Sequence, residues 1–299
     1  MSPPGDGRSR PRPHRALLLH NPSARRGERA LAAAKTLKAA GIEVRLVECR
    51  DPHLVSAQIA WHASDVDRIV LAGGDGTLSN AAAGIIKAGL PLGILPLGTA
   101  NDLARTLGIP DDLEAAARLI VAGKTRRIDV GEVNGHLFFN VASIGLSADL
   151  AACLSPELKR RWGNLGYALA AAKVLVAGRR FHAHIIGSAG DVRVKTMQVA
   201  VGNGRHYGGG SIIHEDATID DGLLDLYSLE SRRVWGLLLK LRAFRRGQHG
   251  AWNEVRTAKQ PEFVIHTHRP RAVNADGELV TQTPAHFRVR AQAVDVFAP

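Results

Sequence analysis

The first 130 residues of the chain alternate short apolar runs with alanine-rich segments of helical periodicity. The apolar runs are "ALLLH", "IEVRLVE", "DRIVLA" and "LGILP", and the segments between them include "GERALAAAKTLKAAG" and "DDLEAAARLIVAG". Strand-sized runs that alternate with helices favour βαβ units and a parallel sheet with helices on both faces. The pattern therefore predicts an α/β domain over residues 15–130.

Beyond residue 130 the apolar runs follow one another with turns between them, which predicts a β-rich second domain over residues 131–299. These runs are "HLFFNVASIG", "RFHAHIIGS", "VRVKTMQVAVGN", "GLLDLYSLE", "PEFVIHTH" and "FRVRAQAVDVF". Two segments of helical character interrupt them, "PELKRRWGNLGYALAAAKVLVAG" and "RRVWGLLLKLRAFRRG". At 299 residues, 45% of them apolar, the chain is long enough to fill two cores.

The net charge favours an anionic partner. The chain has 39 Lys and Arg residues against 28 Asp and Glu residues, which leaves a formal charge of +11. A nucleic acid, a nucleotide and an acidic lipid surface all fit this charge, and so does a plain solvated basic surface. Aromatic residues make up 5% of the chain, and we find no zinc-finger, ribonucleoprotein or helix-turn-helix signature. Nucleic acid is therefore not the expected partner.

The sequence predicts a cytoplasmic protein. Residues 1–14 form a basic stretch without the apolar core of a signal peptide, so we expect a disordered leader. The longest apolar stretch, "LGYALAAAKVLVAG", contains Lys173 and is too short to cross a bilayer. Cys49 and Cys153 show no metal-ligand spacing and suit a reducing compartment.

Three loops follow predicted strands of the α/β half, where ligands bind in open sheets of this type. Their sequences are "NPSARRG" at 21–27, "GGDGT" at 73–77 and "PLGTAND" at 96–102. Each has glycine, hydroxyl or amide groups near a helix start, where free N–H groups favour phosphate oxygens. The loops contain neither a Walker lysine motif nor GxGxxG. A single loop is equally well explained as an ordinary βα turn, but three in succession predict a polyphosphate cradle.

These loops and several later motifs resemble the diacylglycerol kinase catalytic family, especially its soluble bacterial lipid kinases. The matching runs are "NPSARRG", "GGDGTLSNAAAGI", "LPLGTANDLARTLGIP", "VGNGRHYGGGSIIHEDATIDDGLLDL" and "NADGE". NAD kinases contain a similar "GGDGT" string, so the resemblance rests on the combination of these runs and not on that string alone. It implies an α/β plus β-rich fold, with an N-terminal nucleotide-binding domain, a C-terminal β-sandwich-like domain and an active site in the interdomain cleft. Pairing of the last strand with the first domain is left open.

The resemblance implies an ATP site built from the three loops. Asn21 and the loop to Gly27 would hold nucleotide phosphates, and residues 73–77 would wrap around ATP. Thr99 would lie beside the nucleotide, in a cleft shaped by neighbouring polar residues. The full set of implied cofactor-binding residues is Asn21, Gly27, Gly73, Gly74, Gly76, Thr77, Thr99, Asn101 and Asp102.

The resemblance also implies a magnesium site in the second domain, at the turn "TIDDGLLD". There Asp221 would supply a carboxylate, and Thr218 and Leu223 would supply backbone carbonyls. Oxygen ligands of this kind suit Mg²⁺.

Three carboxylates are the implied catalytic candidates. Glu278, in "DGE", corresponds to the family's proposed general base, which would accept the hydroxyl proton during phosphoryl transfer. Asp75 is the candidate ligand of Mg·ATP, and Asp276 is the next candidate for the base. By sequence alone, such carboxylates are more often solvated turn residues.

Three positions depart from the family pattern. Asn and Glu often follow "GGDGTL" in the family, whereas Ser79 and Asn80 stand here. A proline commonly follows the triple-glycine segment, where this chain has Glu215. We therefore expect some nucleotide-side contacts to differ from those of the family.

The sequence thus predicts an ATP- and Mg²⁺-dependent lipid kinase that phosphorylates a hydroxyl of diacylglycerol or a related lipid. The two basic and apolar helical segments, together with the net charge, predict peripheral attachment to an anionic membrane, with core-packing helices as the alternative. Two other functions stay open: an NAD kinase-like phosphotransferase, and a non-catalytic nucleotide- or lipid-binding regulator. A homodimer is also left open.

Overall fold

The computed structural model describes residues 14–21, 27–153, 179–207, 211–212, 217–230 and 255–299. Its first core surrounds a parallel sheet, in which the strands lie in the order β2, β1, β3, β4. These strands are β1 (Arg15–His20), β2 (Glu43–Glu48), β3 (Arg68–Gly73) and β4 (Leu92–Pro96). The helices of this half are α1 (Gly27–Ala39), α2 (Val55–His62), α3 (Asp75–Ala88), α4 (Asp102–Thr106) and α5 (Leu113–Ala122), with 3-10 turns at Pro52–Leu54 and Ala63–Asp65.

The central strands β1, β3 and β4 are almost fully buried along their length, as expected for parallel strands covered on both faces. The edge strand β2 is mostly exposed and pairs with β1 alone. Helix α5 begins at an N-cap, where the Asp112 carboxylate accepts the Ala115 N–H, and it ends at Gly123 in the left-handed conformation. The predicted parallel α/β half is confirmed.

The second half is a β-sandwich-like arrangement. Its strands are β5 (Thr125–Val133), β6 (His136–Phe138), β7 (Val141–Gly145), β8 (Phe181–Gly187), β9 (Gly190–Thr196), β10 (Gln198–Gly202), β11 (His206–Tyr207), β12 (Ser211–Ile212), β13 (Leu224–Leu229), β14 (Val255–Gln260), β15 (Glu262–Thr267), β16 (Ala272–Ala275), β17 (Glu278–Gln282) and β18 (Ala285–Phe297), with helix α6 (Leu146–Cys153) after β7. Six of them form an antiparallel sheet in the order β14, β13, β10, β7, β16, β17. Strands β18, β15, β8 and β9 extend the first sheet, and a second apolar core involves residues of both sheets.

The long last strand joins the two halves. Near its start β18 pairs with β15, and near its end Val296 pairs in parallel with Leu92 of β4. A register shift between Arg290 and Val294 separates these parts, with Gln292 in the left-handed conformation at φ 49°. The buried Asp129 carboxylate accepts the Gln292 N–H at 2.7 Å and stabilises this irregularity. The change of sequence pattern near residue 130 falls inside β5, which pairs with both parts of β18.

Two predicted single strands are divided in the structure. The run "VRVKTMQVAVGN" forms β9 in one sheet and β10 in the other, because the chain changes sheets at Met197. The Thr196 hydroxyl bonds the carbonyls of Gln198 and Leu229 at this corner, both at 2.8 Å. The run "HLFFNVASIG" similarly forms β6 and β7.

The two segments of helical character, at 156–178 and 232–247, lie outside the described residues. Within the described part of the chain, every helix is too short or too polar to cross a bilayer.

Candidate active site

The three strands that precede the predicted loops, β1, β3 and β4, are parallel neighbours in the sheet. His20 of β1 pairs with Ala72 of β3, and Gly73 pairs with Pro96 of β4. The segments that leave these strands therefore emerge at the same carboxyl edge, the usual ligand edge of an open α/β sheet. Asn21 follows β1, and Gly27 begins α1 on the far side of the first loop.

Close backbone packing explains Gly74 of the "GGDGT" loop and Gly98 of the third loop. A Cβ on Gly74 would lie 2.8 Å from the Cα of Gly98, and a Cβ on Gly98 would lie 2.6 Å from the Cα of Gly74. The second and third loops thus touch backbone to backbone, which a side chain at either position would prevent. A Cβ on Gly73 would lie 2.6 Å from the Thr77 side chain, whereas Gly76 has open space beside it.

The third loop turns at Asn101. This residue adopts the left-handed conformation at φ 52°, which Asn tolerates better than most residues. Its amide nitrogen donates to the Gly98 carbonyl at 3.2 Å, and its buried Oδ1 has no partner among the described residues. Asp102 is buried at the start of α4, while Thr99 is exposed at the tip of the loop.

Asp75 is the first residue of α3 and connects three parts of the site. Its Oδ1 accepts the Leu103 N–H of α4 at 3.1 Å. The same oxygen lies 3.5 Å from Nδ2 of Asn140, which follows β6 in the second domain. The carboxylate therefore lies where the second and third predicted loops meet the β-rich half.

A cavity of about 380 Å³ opens between the two halves beside Asp75. The Gln198 side chain lies in its wall and accepts the Ser147 hydroxyl at 2.6 Å and the Ser147 N–H at 3.1 Å. Its Nε2 donates to the Tyr227 hydroxyl at 2.6 Å. The cavity is lined by Asp75, Ala100, Asp102, Asn140, Val141, Ser143, Ser147, Ala151, Gln198, Ala200, Asn274, Asp276 and Gly277. A mainly apolar wall that also carries hydrogen-bonding groups suits an apolar ligand with a hydroxyl.

Asp276 anchors the turn between β16 and β17. Its carboxylate accepts the N–H groups of Phe139, Asn140 and Val141 at 2.7, 3.0 and 3.0 Å. Burial raises the pKa of Asp276 to about 6; the three N–H groups oppose this shift, and the negative charge of Asp75 adds to it. Because both oxygens already hold backbone N–H groups, this carboxylate is less available for proton transfer than Glu278.

Glu278 is the exposed first residue of β17, two positions beyond Asp276. Its Oε1 accepts the Nδ2 hydrogen of Asn80, on the second turn of α3, at 2.9 Å. This contact joins residues that are 198 positions apart in the sequence. The structure therefore brings Glu278 to the helix that begins with Asp75.

In the turn predicted to bind magnesium, the Asp221 carboxylate is bound by protein groups. Its Oδ2 lies 2.7 Å from the Lys259 ammonium and accepts the Thr218 hydroxyl at 2.7 Å, while its Oδ1 accepts the Leu223 N–H at 3.0 Å. Partial burial favours the protonated acid, but these donors outweigh it and hold the pKa of Asp221 below its usual value. Mg²⁺ would have to displace the Lys259 ammonium, so the side chains as placed do not fit this ion. No group of three or more His, Cys, Asp or Glu residues within the described ranges is arranged to hold a metal.

The polar residues of the cavity wall that the sequence did not predict are Asn140, Ser143, Ser147, Gln198 and Asn274. The contact of Asn80 with Glu278 was not predicted either. Asn140 lies within "FFNVASIG" and Gln198 within "MQVAVG", where a lone amide interrupts an apolar run. An amide side chain in a buried apolar strand needs hydrogen-bond partners, and this requirement was the one indication available in the sequence. The requirement does not identify the distant residues that serve as partners.

The sequence matches the diacylglycerol kinase catalytic domain over residues 15–133. It matches the YegS C-terminal NAD kinase beta sandwich-like domain over residues 140–298. It is 33% identical to the "Probable lipid kinase YegS-like" of Pseudomonas aeruginosa, across 95% of this chain and 93% of that protein. The chain belongs to the YegS-like lipid kinases of the diacylglycerol kinase family. A relative of the same name from Pseudomonas fluorescens is 34% identical, with 95% and 94% coverage.

Solved structures show the same two-part architecture. A crystal structure from Bacillus anthracis, described as "a putative diacylglycerol kinase", has a TM-score of 0.82 and 25% identity over 98% of both chains. A second structure from that organism, described in the same words, has a TM-score of 0.77 and 26% identity, with 97% and 99% coverage. The predicted family, the α/β plus β-sandwich-like fold and the assignment as a lipid kinase are confirmed.

Proposed function

We propose that this kinase transfers the γ-phosphate of Mg·ATP to a hydroxyl of diacylglycerol or a related lipid. The observation that carries the proposal is the contact between Asn80 and Glu278. It joins the "GGDGT" helix to the carboxylate that the family resemblance assigns as general base. A nucleotide loop and a proton acceptor on the same cleft are what phosphoryl transfer to an alcohol requires.

The nucleotide would lie at the carboxyl edge of the parallel sheet. We assign its phosphates to the loops that contain Asn21, Gly76 and Thr99, with the rest of the predicted nucleotide set around them. Gly76 supports this placement because open space lies beside it at the start of α3, where free N–H groups favour phosphate. Bound Mg²⁺, carried with ATP, offsets charge on the phosphates, and Asp75 is the carboxylate placed to face it.

The acceptor hydroxyl would enter the cavity between the halves. Glu278 accepts its proton as the hydroxyl oxygen forms a bond to the γ-phosphorus, and the bond from that phosphorus to the bridging oxygen of ADP breaks. Ser147 and Gln198 offer hydrogen-bonding groups to the polar end of the acceptor. The net charge of +11 supports delivery of this acceptor from an anionic membrane surface.

A nucleotide acceptor is the second candidate, because the C-terminal half matches a domain described as NAD kinase beta sandwich-like. The test is incubation of the protein with γ-labelled ATP and Mg²⁺, together with diacylglycerol, a mixed lipid extract and NAD. We expect label in a phospholipid that partitions into the organic phase. Labelled NADP would select the second candidate, and the absence of transfer to either acceptor would select a non-catalytic binding protein.

A further inference from the structure

We infer that Asn80 and His53 position the Glu278 carboxylate for proton transfer, an inference that rests on the proposed function. Asn80 Nδ2 lies 2.9 Å from Glu278 Oε1 and 2.9 Å from the carbonyl of Gly76, one helical turn earlier. Asn80 Oδ1 lies 3.0 Å from His53 Nδ1. The amide therefore has a partner for each hydrogen and one for its oxygen.

These partners select one orientation of the Asn80 amide. The reversed amide would place its oxygen against the Gly76 carbonyl and the Glu278 carboxylate, where two oxygens repel each other. In the selected orientation Asn80 Oδ1 accepts a hydrogen from His53 Nδ1. His53 is itself held by its backbone, because its N–H donates to the Asp51 carboxylate at 2.9 Å, at the start of a 3-10 turn.

This arrangement fixes one oxygen of Glu278 and leaves Oε2 for the acceptor hydroxyl. Asn80 also marks a difference from the family, in which Glu often follows at this position. An ionised carboxylate at this position would have no hydrogen to donate to Glu278, whereas the Asn80 amide donates one at 2.9 Å.

The test is a double-mutant cycle of Asn80→Ala and Glu278→Gln. Asn80→Ala is expected to lower kcat about 10-fold with the ATP KM within about twofold, because the base is misplaced but the nucleotide loops are intact. The same substitution is expected to have little further effect in the Glu278→Gln background. Lys87→Ala, at an exposed position in the last turn of α3, is the matched control and should keep parental kcat.

The conservative replacements separate positioning from a merely structural role. Asn80→Gln should recover part of the lost kcat, whereas Asn80→Glu, whose ionised side chain has no hydrogen to donate to Glu278, should not. An unchanged kcat in Asn80→Ala, or an equal loss in the Glu278→Gln background, overturns the inference but leaves the proposed function standing. Parental turnover by Glu278→Gln itself would overturn both the assigned base and the positioning role of Asn80.

From separate contacts in the turn at 218–223, we also infer that the Lys259 ammonium takes the place of a bound cation at Asp221. Lys259 lies opposite Asp225 in the pairing of β13 with β14, and its Nζ is 2.7 Å from Asp221 and 3.7 Å from Asp225. An ammonium at this distance supplies positive charge and hydrogen bonds to the same carboxylate oxygen that a metal would use. The turn is thereby stabilised without Mg²⁺.

Thermal unfolding of the nucleotide-free protein tests this second inference. We expect the same Tm in millimolar Mg²⁺ and in a chelator for the parental chain, because a cation that does not bind cannot shift the folding equilibrium. Lys259→Met should lower the Tm, and Mg²⁺ should restore part of the loss. The inference would be contradicted if Mg²⁺ raised the Tm of the parental protein but not that of the Asp221→Asn variant. This comparison does not depend on whether the Lys259 variant folds.

Discussion

Glu278→Gln is expected to lower lipid phosphorylation by about 100-fold or more while leaving ATP affinity nearly unchanged. The replacement keeps the shape of the side chain, and its amide oxygen still accepts the Asn80 hydrogen that Glu278 Oε1 accepts at 2.9 Å. What it loses is the negative charge to which we assign the hydroxyl proton. We therefore expect turnover to fall while ATP binding is retained. Steady-state assays measure turnover, and calorimetric ATP titration measures binding.

A matched control for this variant is Glu262→Gln. Glu262 is also an exposed glutamate that begins a strand, in this case β15. Equal losses in the two variants would mean that the effect of Glu278→Gln is not specific to the site. Near-normal turnover of Glu278→Gln alone would move the base to another group, with Asp276 the next candidate. Loss of ATP binding would instead make Glu278 a nucleotide-side residue.

Asp75→Ala is expected to reduce transfer by about 100- to 1000-fold, the range for removal of one preorganised group at a developing charge. Its carboxylate accepts the Leu103 N–H at 3.1 Å and lies near Asn140. Its loss therefore releases the start of α4 and removes the charge that we assign to Mg·ATP. Folding should survive because no large apolar side chain is removed. Activity assays combined with thermal melting followed by circular dichroism check both expectations.

Asp65→Ala is a suitable control for Asp75→Ala, since it removes an exposed carboxylate whose partner is Arg45, on the edge strand. Exposed ion pairs contribute little to stability, about 0 to 1 kcal/mol. We expect Asp65→Ala to retain parental turnover. A folded Asp75→Ala protein with parental activity would contradict the assignment of the "GGDGT" loop to the active site.

The elements predicted best are those that local periodicity specifies. β1, β3 and β4 are buried on both faces and read as continuous apolar runs, so their alternation with helices predicts the parallel sheet directly. The carboxyl-edge position of the three loops then follows from topology. β14 was not identified, because its short, polar-rich sequence is stabilised by pairing with β13.

The site itself was predicted only in part, because its contacts are long-range. The resemblance pointed to Glu278 and Asp75, but no local pattern places Asn80 against Glu278 across 198 residues of chain. No local pattern identifies the backbone of Gly98 as the group that packs against Gly74. No local pattern places the Lys259 ammonium against Asp221 either.

The most direct test of the central claim is the transfer of labelled γ-phosphate to diacylglycerol in anionic vesicles, measured for the parental protein and Glu278→Gln at saturating Mg·ATP. We expect label in a chloroform-soluble phosphomonoester with the parental protein, and a rate about 100-fold lower with the variant. The absence of a labelled lipid with the parental protein, or equal rates for the two proteins, would contradict the account.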